Sequence, residues 1–507
     1  MTGNRSTPGL ALLLVLSFTL TPHVLMGLRP PPGTAFVGTF YYGDDFYNYL
    51  SYAVQAEGGA FLFQNRVLLE EHPPALVNLE WWLVGRLSAL LGGGHLFIAY
   101  RLFAILAALG FVLVADRWLR RAGLGEGHRL PALVLLSTGG GLGGLLLTFT
   151  RRDLESCLDL YAGLFPFLGL LTNAHFVAGT TLLLLSLHLL DTATTPRARL
   201  LAIITATALA LVRPYDLVLL VLVRSASVLV LEPPRRWLPA LAPLCGLLPV
   251  AVYLYWLFYR NPAFAFYATT PYVFPPVSDF AWALVPAVLL AVPGLLRRAP
   301  DADAHRARVQ LGAWAALGLL LVVGRPVDFS LQFLVGIGLP LLTLGAFGLA
   351  LRPPHFTTLA ALAFSTSLVA ALAFVSRPSP LWLVPKTDMA LVDALRPTCR
   401  PGDVVFAPPS IGILVYGLTQ CRSFLSHRVE PAYEKRLDEL RAFGAQDPRQ
   451  RAALLDAYRI THLLLPGEAG EKPVAWLGED TAFRRSAAVT GNPLWSLYLR
   501  EARAGAP

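Results

Sequence analysis

Two adjacent carboxylates, Asp44 and Asp45, open the stretch GDDFYNYLSYA shortly after the first long apolar run of this chain. Paired acids beside a row of tyrosines can take a proton from a hydroxyl or ligate a divalent cation. A plainer role is open to them too. One can cap the helix that begins at Phe46 while the other sits in its first turn, where the macrodipole favours an anion. A second charged cluster follows in TRRDLESCLDLYAGLFPF. There Arg151 and Arg152 can hold a phosphate, and Asp153, Glu155 and Asp159 can complete a carboxylate pair or simply face water. Asn173 and His175 open an apolar run in LLTNAHF, where an unpaired polar group is costly. Arg213, Tyr215 and Asp216 interrupt another in ALVRPYDLVLL, and Arg213 can pair with Asp216 or contact a lipid phosphate. Arg325 in VVGRPVDFSLQF carries the same two readings, and His427 stands in FLSHRVEP, far along the chain.

The elements that must position these groups follow from composition. The chain has 507 residues, of which 55% are hydrophobic and 14% charged, against about 25% charged in soluble domains. It is a polytopic membrane protein. The net charge of +9 does not signal nucleic acid, because the arginines fall in short pairs between apolar runs. Spans are expected near 9–28, 97–115, 130–149, 169–190, 200–213, 217–231, 238–258, 279–296, 309–323, 330–350 and 356–375, about eleven in all. The first lacks a small-residue cleavage site and reads as an uncleaved span rather than a signal peptide. STGGGLGGLLL lies within a span and reads as a close-packing stretch, not a phosphate loop.

Arg117, Arg120, Arg121 and Arg129, then Arg197 and Arg199, Arg235 and Arg236, Arg297, Arg298, Arg306 and Arg308, and Arg352 occupy alternate gaps. Those gaps are expected to be cytoplasmic, with the N-terminus. The opposite gaps, including the long first loop 29–96, then face outward. Within that loop, EEHPPALVNLEWWLVGRLSALLG predicts an amphipathic interfacial helix entering at Pro73 and Pro74 with both tryptophans at the membrane boundary. Residues 1–375 form the membrane domain. The more polar tail 376–507 reads as a small extracytoplasmic α/β domain: DVVFAPP, ITHLLLPG and WSLYLRE as strands, AYEKRLDELRAF and PRQRAALLDAYR as helices. The four cysteines show no CxxC spacing; Cys399 and Cys421, both in the tail, form either a disulfide or two buried thiols.

An acidic pair after the first span, a long first outer loop with an EEHPP segment, a second acidic loop and an outer α/β domain together resemble the GT-C superfamily of integral membrane glycosyltransferases. Protein O-mannosyltransferases, aminoarabinose transferases and oligosaccharyltransferases belong to that group. The resemblance implies a polyprenyl-phosphate-linked sugar donor, an acceptor hydroxyl of unspecified origin, and membrane lipids rather than nucleic acid as partners. It implies an inner (plasma) membrane location and no need for a nucleotide fold. It places Asp44 or Asp45 as the first-loop catalytic acid, with or without a divalent metal ion, and Asp153 or Glu155 as the second acid. Arg151, Arg152, Arg213 or Arg325 would meet the departing phosphate, and Asn173, His175, Tyr215 and His427 would contact substrate. LLTNAHF and SHRVEP are similar to patches in bacterial members. SHRVEP resembles a Gly-His-x-x-Glu-Thr-Pro pattern, but Ser426 replaces the Gly and the Thr is absent. The alternative is a polytopic transporter or lipid flippase, for which paired, broken helices in two repeated halves are expected and no duplication is visible.

Overall fold

The computed structural model describes residues 6–40, 43–150, 157–161, 163–269, 273–466, 483–486 and 494–500. Among these, nine helices are long and apolar enough to cross a membrane: Thr7–Leu28, Leu96–Arg121, Ala174–Thr192, Pro214–Leu231, Pro234–Tyr259, Val277–Leu296, Ala302–Gly324, Ser330–Leu349 and Pro354–Ser376. The chain is a multi-pass membrane protein. The expected count of eleven becomes nine, or ten with the pair Glu126–Thr138 and Gly143–Thr150. The remaining expected span falls in Pro196–Val212, whose 17 residues reach about 25 Å, at the short end of what spans a bilayer.

The glycine run does more than pack closely. It breaks its span, and the two halves meet at 56°. The freed backbone groups are satisfied by neighbouring helices: the Gly140 N–H donates to Phe364 O at 3.0 Å, the Leu142 N–H to Trp282 O at 3.0 Å, and Ser367 Oγ to Gly139 O at 2.9 Å. A broken helix is tolerated at membrane depth only with such partners. Unbroken spans follow a simpler rule. On Leu96–Arg121 the buried stripe is mostly small or aromatic, from Ala99 and Tyr100 through Ala107 and Phe111, while Ile98, Leu102, Leu106 and Leu113 point outward. Small residues let helices approach, and lipid accepts the rest.

At one end of the bundle four arginine-bearing gaps meet. Asp191 takes Arg121 at 2.6 Å, Arg306 at 3.8 Å and Arg224. Arg306 also holds Glu232, and Asp116 takes Arg129 at 3.0 Å and Arg120.

The first loop departs from expectation in two ways. Its leading helix, Gly43–Glu57, starts at Gly43 rather than Phe46, so Asp44 and Asp45 both lie in the first turn and neither is the cap. The second helix starts only at Leu79. Pro73 and Pro74 instead belong to an extended segment whose Ala75 bridges Phe63. Residues preceding proline avoid helical ψ, which keeps EEHPP extended. Trp81 is fully buried against Tyr49 and Tyr100, and only Trp82 is half-buried, against Phe61. One face of the loop is therefore packed into the protein through Trp81, while Phe61, Leu62, Leu83, Leu90 and Leu91 stay exposed.

Each tail segment forms the kind of element its pattern suggests. A five-stranded sheet runs in the order Arg422–Ser423, Val404–Phe406, His462–Pro466, Trp495–Arg500, Phe483–Arg485, the first three parallel and the last two antiparallel. Helices Tyr433–Ala442 and Pro448–Ala457 match the two amphipathic stretches. Cys399 and Cys421 are bonded, with Cα atoms 5.1 Å apart. A short antiparallel pair, Thr34–Phe36 with Leu383–Pro385, ties the end of the first span to the start of the tail.

Candidate active site

The tail helix Pro409–Leu418 packs directly on the first-loop helix Gly43–Glu57. Gly417 permits this approach, since a Cβ there would come within 2.7 Å of Tyr47 Cβ. The contact brings the loop after Arg422–Ser423 over the acidic pair. His427 Nε2 lies 3.1 Å from Asp45 Oδ1, while the Val429 N–H donates to His427 Nδ1 at 3.1 Å. Because Nδ1 accepts, the ring proton sits on Nε2 and Nε2 donates to Asp45. His427 is buried, whereas the Asp45 side chain is 49% exposed.

Beneath Asp45 is a cavity of about 270 Å³. Asp45, Asn48, Tyr49 and Tyr52 line one wall, at the i, i+3, i+4 and i+7 spacing of a single helix face. Asn173, His175 and Phe176, at the start of Ala174–Thr192, form the floor, and Arg213 and Tyr215 enter from the side. Arg213 sits in extended backbone between two helices because Pro214 follows it. Its Nε donates to Asp216 Oδ2 at 3.0 Å, its Nη2 donates to Gln332 O at 3.1 Å, and its guanidinium lies 4.8 Å from the Phe176 ring centre. Gly179 leaves room for it: a Cβ there would approach Arg213 Cδ to 2.3 Å. Arg213 thus pairs with Asp216, as one of its two readings expected, and also lines the cavity.

Several polar atoms around this space have no hydrogen-bond partner: Asn48 Oδ1, Asn173 Oδ1 and His175 Nδ1. The other side of Asn48 is used, Nδ2 donating to Tyr267 Oη at 3.1 Å. Burial pushes the Tyr267 hydroxyl up to about 12. It also raises Tyr49, to which the charges of Asp45 and Glu80 add and Arg213 opposes. Glu80, 1% exposed, is held well above the ordinary carboxylate range by burial, with its own amide, Arg213 and the Trp81 indole pulling it back. Tyr49 and Tyr267 are therefore neutral hydroxyls, and among the described residues Asp45 is the one acid that lines the cavity.

The other expected site residues are placed differently. Asp44 is exposed and does not line the cavity. Arg325, in left-handed backbone at φ 47°, stacks over Phe274 at 3.7 Å outside the cavity lining. Arg151, Arg152, Asp153 and Glu155 lie outside the described residues. Asp159, from the same loop, packs on the glycine break, its Oδ2 accepting from the Gly143 N–H at 3.0 Å. Among the described residues no three carboxylate, imidazole or thiol ligands converge at Asp45. The triple that does converge, Cys399, Cys421 and His462, contains two sulfurs already bonded to each other.

Sequence reasoning passed over Asn48, Tyr49 and Tyr52, although their spacing from Asp45 was a usable signal. Glu80, Tyr267 and Gln332 carried none, since each reaches the site from a separate segment.

No protein family matches the chain, and no curated protein matches it in sequence. Solved structures do. ArnT from Cupriavidus metallidurans, bound to undecaprenyl phosphate, is similar with a TM-score of 0.54 at 13% identity, over 99% of this chain and 100% of that one. An oligosaccharyltransferase from Archaeoglobus fulgidus, tethered to an acceptor peptide with an NVT sequon, is similar with a TM-score of 0.54 at 10% identity, over 91% of this chain and 69% of that one. The likeness is one of fold: the chain shares the polytopic architecture of these two structures.

Proposed function

We propose that the protein is a membrane glycosyltransferase that moves a sugar from a polyprenyl-phosphate-linked donor to an acceptor hydroxyl at the outer face of the membrane, with Asp45 as base. The observation that carries this reading is the placement of Asp45 and Arg213 on the walls of one cavity. Support comes also from the shared fold, including a neighbour bound to undecaprenyl phosphate. The Cys399–Cys421 disulfide suits a tail in an oxidising compartment, opposite the arginine-rich end.

In this reaction the acceptor oxygen attacks the anomeric carbon and its proton passes to the Asp45 carboxylate. The bond from that carbon to the phosphate oxygen breaks, and the leaving phosphate keeps the electron pair. One displacement inverts the anomeric centre. Arg213 offers the fixed positive charge where negative charge accumulates. His427 holds Asp45 Oδ1 through its Nε2–H and leaves the second oxygen for the acceptor. Purified protein in nanodiscs with a polyprenyl-phosphate-linked sugar tests this: Asp45→Asn should lower transfer by about a hundredfold to ten-thousandfold, and Asp44→Asn should leave it near wild type. Full transfer by Asp45→Asn would overturn the assignment.

A further inference from the structure

The helix that presents Asp45 at its start presents a second cleft at its end. Gln55 and Gly58 border a space of about 530 Å³, larger than the cavity under Asp45. The tail closes the opposite side with Gln420 and Arg422, and Arg66 and Gln64 of the first loop complete it. Arg66 is only 4% exposed. Its Nη2 donates to Ser51 O at 2.7 Å and its Nη1 to Thr419 O, but its Nε has no partner. Gln64 Oε1 is likewise buried without a partner.

Among the described residues no carboxylate lines this cleft. Glu70 and Glu71 act on Arg422 from outside, where both are exposed. Burial pushes the Arg66 guanidinium down to about 9; Tyr416 and Tyr52 oppose the fall and the charge of Arg422 adds to it. Two guanidiniums near each other in a partly dry site, one with an idle N–H, match a ligand with negative charge. An idle amide oxygen beside them matches a ligand that also donates, as a sugar hydroxyl does.

We propose that this cleft binds a saccharide bearing an oxyanion, either carboxylate or phosphate, with the oxyanion between Arg66 Nε and Arg422 and a hydroxyl donating to Gln64 Oε1. Gln55 lies ten residues beyond Asp45 on the same helix, a separation of about 15 Å. The ligand is then the non-reacting part of the acceptor, a term that rests on the glycosyl-transfer reading; the binding itself does not.

The test is calorimetric titration of the full-length protein in nanodiscs with glucuronate, glucose 6-phosphate and glucose. An acidic sugar should bind saturably and at least about tenfold more tightly than glucose. That affinity should fall at least about tenfold in Arg422→Gln and in Gln64→Glu, a difference of about 1.4 kcal/mol. Glucuronate binding alone assigns a carboxylate ligand, and glucose 6-phosphate alone a phosphorylated one. If Arg422→Gln melts early because its bond to Leu69 O is lost, Gln64→Glu carries the measurement. Absence of saturable binding by the wild type, glucose binding equally well, or unchanged binding by Gln64→Glu overturns the proposal. Asp45→Asn should bind acidic sugars as the wild type does. Full transfer by that variant with binding intact would reject the transfer reading and leave the cleft standing.

Discussion

The two ends of the helical bundle treat buried charge in opposite ways. At the arginine-rich end both oxygens of Asp191, Asp116 and Glu232 meet guanidiniums: Asp191 takes Arg121, Arg224 and Arg306, Asp116 takes Arg120 and Arg129, and Glu232 takes Arg306 and Arg236, while the idle atoms there include spare nitrogens of those same arginines, Arg121 Nη1, Arg129 Nη2 and Arg224 Nε. At the cavity end Asp216 has only one oxygen paired, and Asn48, Asn173 and His175 each keep an idle atom. A buried unsatisfied polar group costs roughly 1–3 kcal/mol, so the second arrangement is a net loss for the protein alone. One end ties helices together through shared ion pairs; at the other the idle atoms of Asn48, Asn173 and His175 border a cavity, where something with hydroxyls and charge can meet them.

The largest effect should come from breaking the saturated end. Asp191→Ala leaves three guanidiniums without their common partner and should cost about 3–5 kcal/mol, read as a large drop in thermal melting temperature in detergent. Transfer per folded molecule should hold. An unchanged melt would erase the contrast between the ends. Next is Arg213→Lys, which keeps a charge but loses the fork shared between Asp216 and Gln332. Transfer should fall at least about tenfold, with a smaller drop in melting temperature than Asp191→Ala causes. Equal losses of melt in the two variants would mean that Arg213 is chiefly a structural brace.

Asp159 stands between the two patterns, with Oδ2 served by the Gly143 N–H and Oδ1 unpartnered. Burial raises its carboxyl to about 7, against the pull of backbone N–H groups at Gly143, Asp159 itself and Gly141. Between the ordinary carboxylate range and about 7 the folded protein keeps a proton that the unfolded chain has released. Stability should therefore fall as pH rises through that window and level off above it. Melting curves across pH should show this slope in the wild type and a flatter line in Asp159→Asn. The smallest effect on stability belongs to Asn48→Ala, which removes one bond to Tyr267 and one idle acceptor together. The melt should change by no more than about 1 kcal/mol equivalent, while transfer declines; a melt loss as large as that of Arg213→Lys would count against a ligand-facing role.

Much of this was legible in the residues. Arginines on alternate gaps put Arg121 and Arg306 at one end, and both converge on Asp191, where Arg224, from within an expected span, joins them. Alternation and amphipathic spacing located His462–Pro466, Trp495–Arg500 and Tyr433–Ala442. The misreadings have local causes. Two tryptophans beside prolines looked interfacial, but Trp81 had aromatic partners on two other helices that no window of sequence reveals. The glycine run read rightly as close packing but not as a break, because the neighbours that satisfy a broken helix, Phe364, Trp282 and Ser367, are distant in the chain.

The sequence by itself determined that the chain crosses a membrane many times, where its charges sort, and that a helix carries two acids into the first loop. Partition between lipid and water and the helical repeat are local properties, so composition and spacing suffice for them. Only the tertiary structure chose Asp45 over Asp44 for the cavity wall and brought His427 to it across 382 positions. It alone set Arg213 against Phe176 in the space left by Gly179. These depend on which helix faces meet, and close approaches such as Gly417 on Tyr47 are properties of the pair, not of either segment.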